Sequence, residues 1–347
     1  MNFQAASASF KTLPPPALSQ TTAGCGAQDA PRVVAVVTTH NRLAQLRQTV
    51  VQLLSSSVDQ LAQIIVVNNA SSDGTASWLT AVSDPRLHVV TLDHNMGGAG
   101  GFAVGLDHAR RLFDPDWYLV MDDDARPVPG ALAAFHSSDL SPWDAIAGAV
   151  YDPAGAICDI NRPTHDPFAS WTKFLRTARA GREGFHLGPK DYAAAGPVAV
   201  DGASFVGLFL SRRALELAGL PDAALFVYGD DALQTLRLSR AGGRIGFFPN
   251  IRFEHDHPSA TNAQIGKPLW KVYYQHRNAL ILYRHAAGWA FWPICLIVLP
   301  RWALRMRAYP GRRRRFLRLF LQGIWHGLLR KTSTSHETVL RWANQGK

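Results

Sequence analysis

Runs of mainly apolar residues recur through the first third of the chain, and a stretch with helical spacing separates each run from the next. The four runs are 33–37, 64–67, 87–92 and 117–121, and the first is rich in β-branched residues. Runs of this kind are typical of parallel strands buried on both faces. Apolar positions at helical intervals lie between them at 43–54, 76–82 and 101–113. This alternation, at about 25–30 residues per unit, predicts an α/β fold with a doubly wound, mostly parallel sheet.

Polar side chains gather where the predicted strands end. These clusters are residues 38–42, 68–73, 95–101 and 122–124. In open α/β sheets, ligands bind in the crevice beyond the carboxyl ends of the strands. The coincidence of polar chemistry with strand ends therefore predicts a binding site at this edge of the sheet.

The pattern becomes less regular after residue 140. Residues 140–210 predict strands with irregular loops, including an insertion at 171–192 and a strand at 205–210. The later predicted elements are a short helix at 212–219 with Gly219 as its C-cap, a helix opened by Asp230 and Asp231, extended segments at 244–249 and 251–255, and a helix at 268–285.

Three consecutive aspartates follow the fourth apolar run. Because alternate side chains of a strand share a face, Asp122 and Asp124 are expected to point one way and Asp123 the other. Two carboxylates at one sheet edge repel each other unless a cation lies between them, and hard divalent cations often share such ligands with phosphates. A metal would neutralise charge on a departing diphosphate. The alternative is an acidic turn that caps the next helix.

Four glycines occur between residues 97 and 101, after Asn95. Glycines allow close backbone approach to a ligand, and the N-terminus of the helix that follows favours anions. A flexible loop is the alternative. The segment has neither the spacing nor the position of a dinucleotide-binding fingerprint. It is not a Walker A loop either, because no Gly-Lys-Ser/Thr follows the glycines.

Further acidic and imidazole groups lie late in the chain. Asp230 and Asp231 open a helix, where one carboxylate is explained by capping and the other is free to act as a general base. His255 or His257 could supply a third ligand to a metal held by Asp122 and Asp124. Arg277, on a predicted helix, could clamp a phosphate or belong to a buried structural pair with Tyr273.

The net charge of +10 is concentrated at one end of the chain. Residues 301–347 contain 12 Lys or Arg and one acidic residue, whereas residues 1–300 contain 24 basic and 25 acidic residues. Nucleic-acid enzymes more often carry charge across the active face, so we expect no nucleic-acid partner. Cys25, Cys158 and Cys295 form no CxxC pair and indicate a reducing compartment. Residues 1–30 lack a secretory signal and are interpreted as a flexible leader.

An apolar run at residues 286–300 includes two tryptophans and is shorter than the roughly 20 residues of a spanning helix. Arg301, Arg305, Arg307 and four consecutive arginines at 312–315 follow it, before a second apolar stretch at 316–329. Apolar helices with Trp and abundant Arg suit the interface of an anionic membrane. The alternative is a buried core helix followed by a solvated basic tail.

At these motifs, over about residues 32–284, the sequence resembles family 2 glycosyltransferases of GT-A fold, and most of all the galactofuranosyltransferase and rhamnosyltransferase-like members. The motifs that carry the resemblance are residues 39–42, 68–74, 95–102, 122–124 and 229–231. Two departures are Asn68 or Asn69 in place of an acid that contacts uridine in the family, and Val227-Tyr228 in place of an aromatic pair. The first departure leaves open whether the donor nucleotide is UDP or dTDP. The second leaves open which residues contact the donor sugar.

The resemblance implies a role for each motif. The donor nucleotide and its diphosphate would be held by Thr39, Arg42, Asn68, Asn69, Asn95, Gly97, Gly98, Asp122 and Asp123. Mg²⁺ or Mn²⁺ would be bound by Asp122 and Asp124, with His255 as a further ligand. Asp231, with Asp230 beside it, would be catalytic as the base in a single displacement that inverts the anomeric configuration.

The expected activity is transfer of a sugar, of the galactofuranose or rhamnose class, from a UDP- or dTDP-sugar to a glycan or polyprenyl-linked acceptor in cell-envelope synthesis. The expected location is the cytoplasmic face of the inner membrane, with peripheral attachment. The predicted domains are the leader 1–30, a GT-A domain at 31–285 and an apolar, basic helical segment at 286–347. The alternatives are a metal-dependent nucleotidyltransferase and a non-catalytic scaffold that binds sugar nucleotides.

Overall fold

A computed structural model describes residues 30–256 and 268–344. Its strands are β1 (Val33–Thr39), β2 (Gln63–Asn68), β3 (Leu87–Thr91), β4 (Trp117–Asp122), β5 (Ala125–Pro127), β6 (Ala145–Tyr151), β7 (Val198–Val200), β8 (Leu208–Ser211) and β9 (Ile245–His255). Its α-helices are α1 (Leu43–Leu54), α2 (Thr75–Ala81), α3 (Gly97–Leu112), α4 (Ala131–His136), α5 (Trp171–Ala180), α6 (Pro189–Tyr192), α7 (Arg212–Ala218), α8 (Asp230–Arg240), α9 (Lys271–Ala287), α10 (Phe291–Ala303), α11 (Arg313–Leu328) and α12 (His336–Asn344). His257, Cys25 and the predicted leader up to residue 29 lie outside the described residues.

The described strands form one mixed sheet in the order β3-β2-β1-β4-β8-β6-β9-β5, with β7 paired to β9. The first four strands are parallel and are joined by helices, as the sequence pattern predicts. Strand β8 is antiparallel to both β4 and β6, whereas β9 runs parallel to β6. The α/β fold class is therefore confirmed, with antiparallel strands added beyond β4.

Strand β1 shows why its sequence is continuously apolar. Val34 and Val36 pack on one face of the sheet with residues of α3, whereas Val33, Ala35 and Val37 pack on the other with residues of α1. All five side chains are buried. Because both faces carry a helical layer, no position in the strand meets solvent.

Two segments differ from their predicted structure. The glycine-rich segment was expected to precede a helix, but Gly97 is the first residue of α3. Its glycines admit close packing, since a Cβ on Gly101 would lie 2.4 Å from the Thr38 methyl group and one on Gly105 would lie 2.4 Å from Val36. The insertion at 171–192, expected to be irregular, contains α5 and α6.

The last helices form an apolar layer of their own. Side chains of α9, α10, α11 and α12 share one buried cluster, which includes Tyr273, Phe291, Phe316 and Val339. Residues Lys271–Ala308 are long and apolar enough to cross a membrane by length and composition alone. This stretch is not one continuous α-helix, because Gly288 (φ +54°) and a 3₁₀ turn separate α9 from α10. The predicted domain division at residue 285 stays a prediction.

Candidate active site

The carboxyl ends of three strands bring the predicted site residues to one edge of the sheet. In the parallel register Thr38 pairs with Asp122 and Thr39 pairs with Asn68. The carboxyl end of β9 reaches the same edge, where the backbone N–H of Asp256 donates to the Asp124 carbonyl at 2.8 Å. This contact fixes His255 beside the aspartates, although they are more than 130 residues away in sequence.

Asp122, Asp124 and His255 form a compact cluster. Each offers one ligand atom, and these three atoms lie within 4.8 Å of one another. Asp122 ends β4, whereas Asp124 lies in the turn that follows. The two carboxylates are therefore brought together by the turn after β4, and not by the alternation of side chains along a strand. Two carboxylates and an imidazole are a donor set that suits Mg²⁺ or Mn²⁺ and leaves positions for phosphate oxygens. The residues present therefore fit a divalent cation.

Negative charge is crowded in this cluster. Burial, followed by the charge of Asp124, raises the pKa of Asp122 to about 7. Burial alone would lower the pKa of His255, but its hydrogen bond to Asp124 and the nearby carboxylates raise that pKa to about 10. His255 Nε2 lies 3.1 Å from Asp124 Oδ1. The carboxylates thus attract a positive charge, which a bound cation could supply.

His255 is oriented by a residue that the sequence did not single out. Its Nδ1 lies 2.8 Å from Asn161 Oδ1 and 3.8 Å from the Cys158 thiol. Asn161 Nδ2 donates to Ser204 Oγ at 2.9 Å, so Asn161 Oδ1 is the atom left to accept from His255. This arrangement directs His255 Nε2 toward the aspartates, as the outer partners of metal-binding histidines do. Asn161 is 94 residues from His255, and no local motif marks it.

Thr39, Arg42 and Asp123 form a second polar group against the cluster. The Thr39 hydroxyl donates to Asp123 Oδ2 at 2.7 Å. Arg42 lies 2.7 Å from Asp124 Oδ2 and 3.4 Å from Asp123 Oδ1, and 42% of its side chain remains exposed. Arg42 therefore lies at the partly exposed rim of the acidic cluster.

The predicted nucleotide-binding asparagines have contacts within the chain. Asn69 is buried, accepts from the Met96 N–H at 2.8 Å and donates to the Gly97 carbonyl at 2.9 Å. Asn68 Oδ1 accepts from the Ser71 N–H, and Asn95 Oδ1 accepts from the Gly97 N–H. These contacts tie the end of β2 to the start of α3, and the roles of the asparagines toward a nucleotide stay predictions.

Gly97 and Gly98 differ in their surroundings. Gly97 has φ +72°, and a Cβ there would lie 2.0 Å from the Phe226 carbonyl oxygen. Nothing lies within 4 Å of a Cβ built on Gly98. Gly97 is thus required by packing against the Phe226 loop, whereas Gly98 borders open space in which a ligand could approach.

Asp230 and Asp231 occupy the first turn of α8, and Gly229 rather than either aspartate is the N-cap. Burial, followed by the charge of Asp231, raises the pKa of Asp230 to about 8. Burial also raises the pKa of Asp231, whose Oδ1 accepts from the Ala232 N–H at 2.7 Å. The charge of Asp231 in turn raises the pKa of Asp122, so the two carboxylates belong to one electrostatic site. Burial is the largest cause of the raised pKa of Asp122, and the charge of the predicted base Asp231 adds a smaller contribution.

Residues Arg277 and Asn278 hold the loop that leads to these aspartates. Arg277 donates to the carbonyls of Ala224 and Leu225, and Asn278 donates to those of Leu225, Val227 and Tyr228. Arg277 is fully buried against the rings of Tyr273 and Tyr274. This supports the buried structural role over a phosphate clamp.

Comparison with known proteins agrees with this geometry. Residues 34–189 match the family described as glycosyl transferase family 2. Galactofuranosyltransferase GlfT1 of Mycolicibacterium smegmatis is 28% identical over 235 residues, which are 66% of this chain and 72% of that protein. Undecaprenyl-phosphate mannosyltransferase of Micrococcus luteus is 30% identical over 152 residues, which are 42% of this chain and 58% of that protein.

A solved structure shows the same type of fold. The structure titled GalNAc-T7 with UDP, GalNAc and Mn²⁺ superposes with a TM-score of 0.53 at 14% identity. The match covers 74% of this chain and 48% of that one, so this chain spans about half its length. At this identity the likeness concerns the fold alone, and it confirms the predicted GT-A fold.

Proposed function

The chain carries a glycosyltransferase family 2 domain over residues 34–189, and we propose that it moves a sugar from a UDP- or dTDP-sugar to a hydroxyl of a glycan or lipid-linked acceptor. The observation that carries this proposal is the meeting of Asp122, Asp124 and His255 within 4.8 Å, with the charge of Asp231 acting on Asp122. A metal-binding cluster beside a separate carboxylate is what sugar transfer from a diphosphate needs.

The donor half of the site lies at the strand ends. Asp122, Asp124 and His255 would hold Mg²⁺ or Mn²⁺, which when bound supplies positive charge to the leaving diphosphate. Arg42, at the rim of the cluster, adds a cation that can form bidentate hydrogen bonds to phosphate. Thr39 and Asn68 pair at the ends of β1 and β2, and Asn69 ties Gly97 to the end of β2. In the proposal Thr39, Asn68, Asn95 and Gly98 contact the nucleotide.

The acceptor half of the site is built around Asp231. In the proposed step its carboxylate takes the proton of an acceptor hydroxyl while that oxygen bonds to the anomeric carbon. The bond from that carbon to the diphosphate oxygen breaks, and the nucleoside diphosphate leaves. Because bond formation and bond cleavage occur on opposite faces of one carbon, the product has inverted configuration. Burial raises the pKa of Asp231, and this strengthens it as a base.

The likeness to the galactofuranosyltransferase GlfT1 favours galactofuranose as the donor sugar. The proposed product is a cell-envelope glycan. We propose peripheral attachment to the cytoplasmic face of the membrane, and the C-terminal helices support the attachment itself. Trp289, Trp292 and Trp325 each expose 60% or more of their surface, and arginines at 312–314 are also exposed. Exposed tryptophans beside arginines suit an anionic interface.

The test is release of nucleoside diphosphate from UDP-galactofuranose or dTDP-rhamnose by the full chain, with Mn²⁺ or with EDTA. We expect turnover with the metal, loss of turnover with EDTA, and a decrease of at least about 100-fold in Asp124→Asn. Asp59→Asn removes an exposed carboxylate in the turn before β2 and is the matched control, which should keep full activity.

Two results would contradict the proposal. Release of pyrophosphate from a nucleoside triphosphate and a sugar phosphate would indicate a nucleotidyltransferase. Binding of sugar nucleotide without turnover of any donor would indicate a scaffold.

A further inference from the structure

A cavity of about 660 Å³ lies beside Asp231, on the side of α10. Asp231 and Ala232 of α8 form one part of its lining, and residues of the 160–186 segment form another. None of Asp122, Asp124, His255 and Arg42 is among the described lining residues. Asp231 therefore contributes both to the electrostatics of the acidic cluster and to this cavity. Its charge acts on Asp122, and Asp231 also lines the cavity.

Helix α10 presents one stripe to the cavity. Ile294, Ile297, Val298 and Arg301 line it, at the i, i+3, i+4 and i+7 spacing of a single helix face. Phe168 and Phe174 supply apolar surface from the 160–186 segment. The cavity size is in the range of about 300–1,000 Å³ that is usual for small-molecule sites. The stripe from Ile294 to Arg301 spans roughly 10 Å along the helix axis. The cavity therefore suits an apolar group of about that length.

The cavity is accessible from the surroundings of α10. Ile297 lines it and yet exposes 54% of its surface, and Leu296 on the same helix exposes 80%. Helix α10 buries Phe291, Cys295 and Trp302 on one face, yet the face with Leu296 and Ile297 is apolar and exposed. An amphiphilic molecule could therefore enter from an apolar phase along this helix.

The other lining carboxylates are already engaged by cations. Asp166 lies 2.9 Å from Arg240, and Asp201 lies 3.1 Å from Lys173. Asp231 instead accepts from a backbone N–H. Among the lining carboxylates, Asp231 is therefore the one that could accept a proton from a substrate hydroxyl in the cavity.

We infer that this cavity is the acceptor site and that it takes a glycoside whose sugar is joined directly to an apolar aglycone. The sugar hydroxyl lies at Asp231 and the aglycone lies against Ile294, Ile297 and Val298. The inference rests on the proposed function, because it assigns the base to Asp231. It adds that the apolar group is recognised close to the accepting hydroxyl, so a glycan without such a group is a poor acceptor.

The experiment compares methyl and octyl glycosides of rhamnose and galactofuranose as acceptors, below the micelle concentration of the octyl compounds. With the full chain, we expect KM to be at least about tenfold lower for the octyl glycoside, because burial of its alkyl chain removes apolar surface from water. Ile294→Asn should abolish this difference by raising KM for the octyl glycoside toward that of the methyl glycoside. Leu296→Asn makes the same change on the exposed side of α10 and should behave as the unmodified chain.

A second variant and a binding measurement keep the outcome clear. Phe174→Asn, which changes a lining residue from the 160–186 segment, should act as Ile294→Asn does if the latter fails to fold. Calorimetric binding of the octyl glycosides, without donor, separates this inference from the proposed reaction. Binding that Ile294→Asn loses and Leu296→Asn keeps supports the cavity even if no donor is turned over. Equal KM values for methyl and octyl glycosides, equal effects of the two α10 variants, or no calorimetric binding would each overturn it.

Discussion

The two carboxylates at the start of α8 are chemically distinct. Burial and the charge of Asp231 hold the pKa of Asp230 at about 8, so Asp230 carries its proton near neutral pH. Asp231 accepts from the Ala232 N–H, which stabilises its ionised form. Asp231 is thus the member of the pair that can accept a proton from a substrate.

Replacement of each aspartate by asparagine tests this difference. Asp231→Asn should lower kcat by about 10²–10⁴-fold because the base is lost. Asp230→Asn is the matched control, and its effect at pH 7 should be small because asparagine resembles the protonated carboxyl. Comparable losses in the two variants would contradict the assignment of the base.

The raised pKa of Asp231 also sets the pH profile. A base acts only when deprotonated, so kcat/KM should rise with pH through its pKa. Because burial raises that pKa, the acidic limb should lie above the ordinary aspartate value of 3.8. The pH profile should be measured with Mn²⁺ saturating at every pH. An apparent pKa of about 3.8 or lower for the acidic limb, the ordinary aspartate value, would contradict the account.

Asn161 is expected to control the affinity of the metal cluster. Asn161→Leu removes the acceptor at His255 Nδ1 and keeps the number and branching of the side-chain heavy atoms. Loss of such a partner typically weakens metal binding by about 10–100-fold. Electron paramagnetic resonance of free Mn²⁺ during titration of the chain, without donor, measures this directly. Asn250→Leu changes an exposed asparagine of β9 and should leave the affinity unchanged.

A local sequence pattern predicted that Asp122 and Asp124 would lie close together, and the structure shows this proximity. Asp122 and Asp124 converge as expected, although a turn after β4 brings this about instead of strand alternation. Asn161 was missed because its partner His255 is brought near only by the pairing of β6 with β9. Long-range pairing of this kind leaves no periodic signal in one sequence.

At the scale of elements, the start of α3 depends on its contact with the Phe226 loop. The Ala99 N–H donates to the Phe226 carbonyl at 3.1 Å, directly over Gly97. The loop itself contains two non-glycine residues with positive φ, Phe226 and Tyr228. The strained loop next to Asp230 is therefore held by helix α3 on one side. Hydrogen bonds from Arg277 and Asn278 to the loop carbonyls hold it as well.

Alanine at two adjacent glycines tests this contact. Gly97→Ala should lower Tm and activity together, because its Cβ would collide with the Phe226 carbonyl and the backbone has positive φ. Gly98→Ala should leave Tm unchanged or slightly raised, since alanine favours a helix by up to about 1 kcal/mol. A higher KM for the donor in Gly98→Ala, with Tm intact, would support its predicted contact with the nucleotide. Equal Tm losses in both variants would contradict the packing role of Gly97.

The parallel half of the sheet could be predicted because each strand is a buried apolar run between helices. The start of α3 could not, because glycine has low helix propensity and packing against Thr38 and Val36 overrides it. Helix α5, in the 171–192 insertion, was missed although its sequence carries an apolar stripe. Trp171, Phe174, Leu175 and Ala178 recur at the i, i+3, i+4 and i+7 spacing of one helix face, yet no residue of α5 is buried.

At the scale of the whole molecule, positive charge and exposed apolar surface occur in the same C-terminal region. Residues 301–347 carry 12 basic residues and one acidic residue. On α11, Leu317, Leu321 and Trp325 are exposed at four-residue intervals and form one stripe. The sequence predicted this amphipathic character, but not the packing of α11 on α9 within a shared apolar cluster.

Binding to lipid vesicles tests the membrane proposal. The full chain should bind vesicles that contain phosphatidylglycerol more tightly than phosphatidylcholine vesicles, and salt should weaken this binding. Arg313→Gln with Arg314→Gln should weaken it about 30-fold, at about 1 kcal/mol per arginine. Arg110→Gln with Arg111→Gln, on α3, is the matched control in charge. Equal effects of the two pairs in a flotation assay would contradict a specific C-terminal surface.

The central claim is that Asp122, Asp124 and His255 jointly hold a divalent cation for a nucleoside diphosphate. Crystals of the chain grown with MnCl₂ and UDP, measured at the manganese absorption edge, test it most directly. We expect an anomalous peak within ligand distance, about 2.0–2.4 Å, of the Asp122 and Asp124 carboxylates and His255 Nε2, with the diphosphate on its open side. UDP bound with no manganese peak at this cluster, or with manganese on other residues, would contradict the claim.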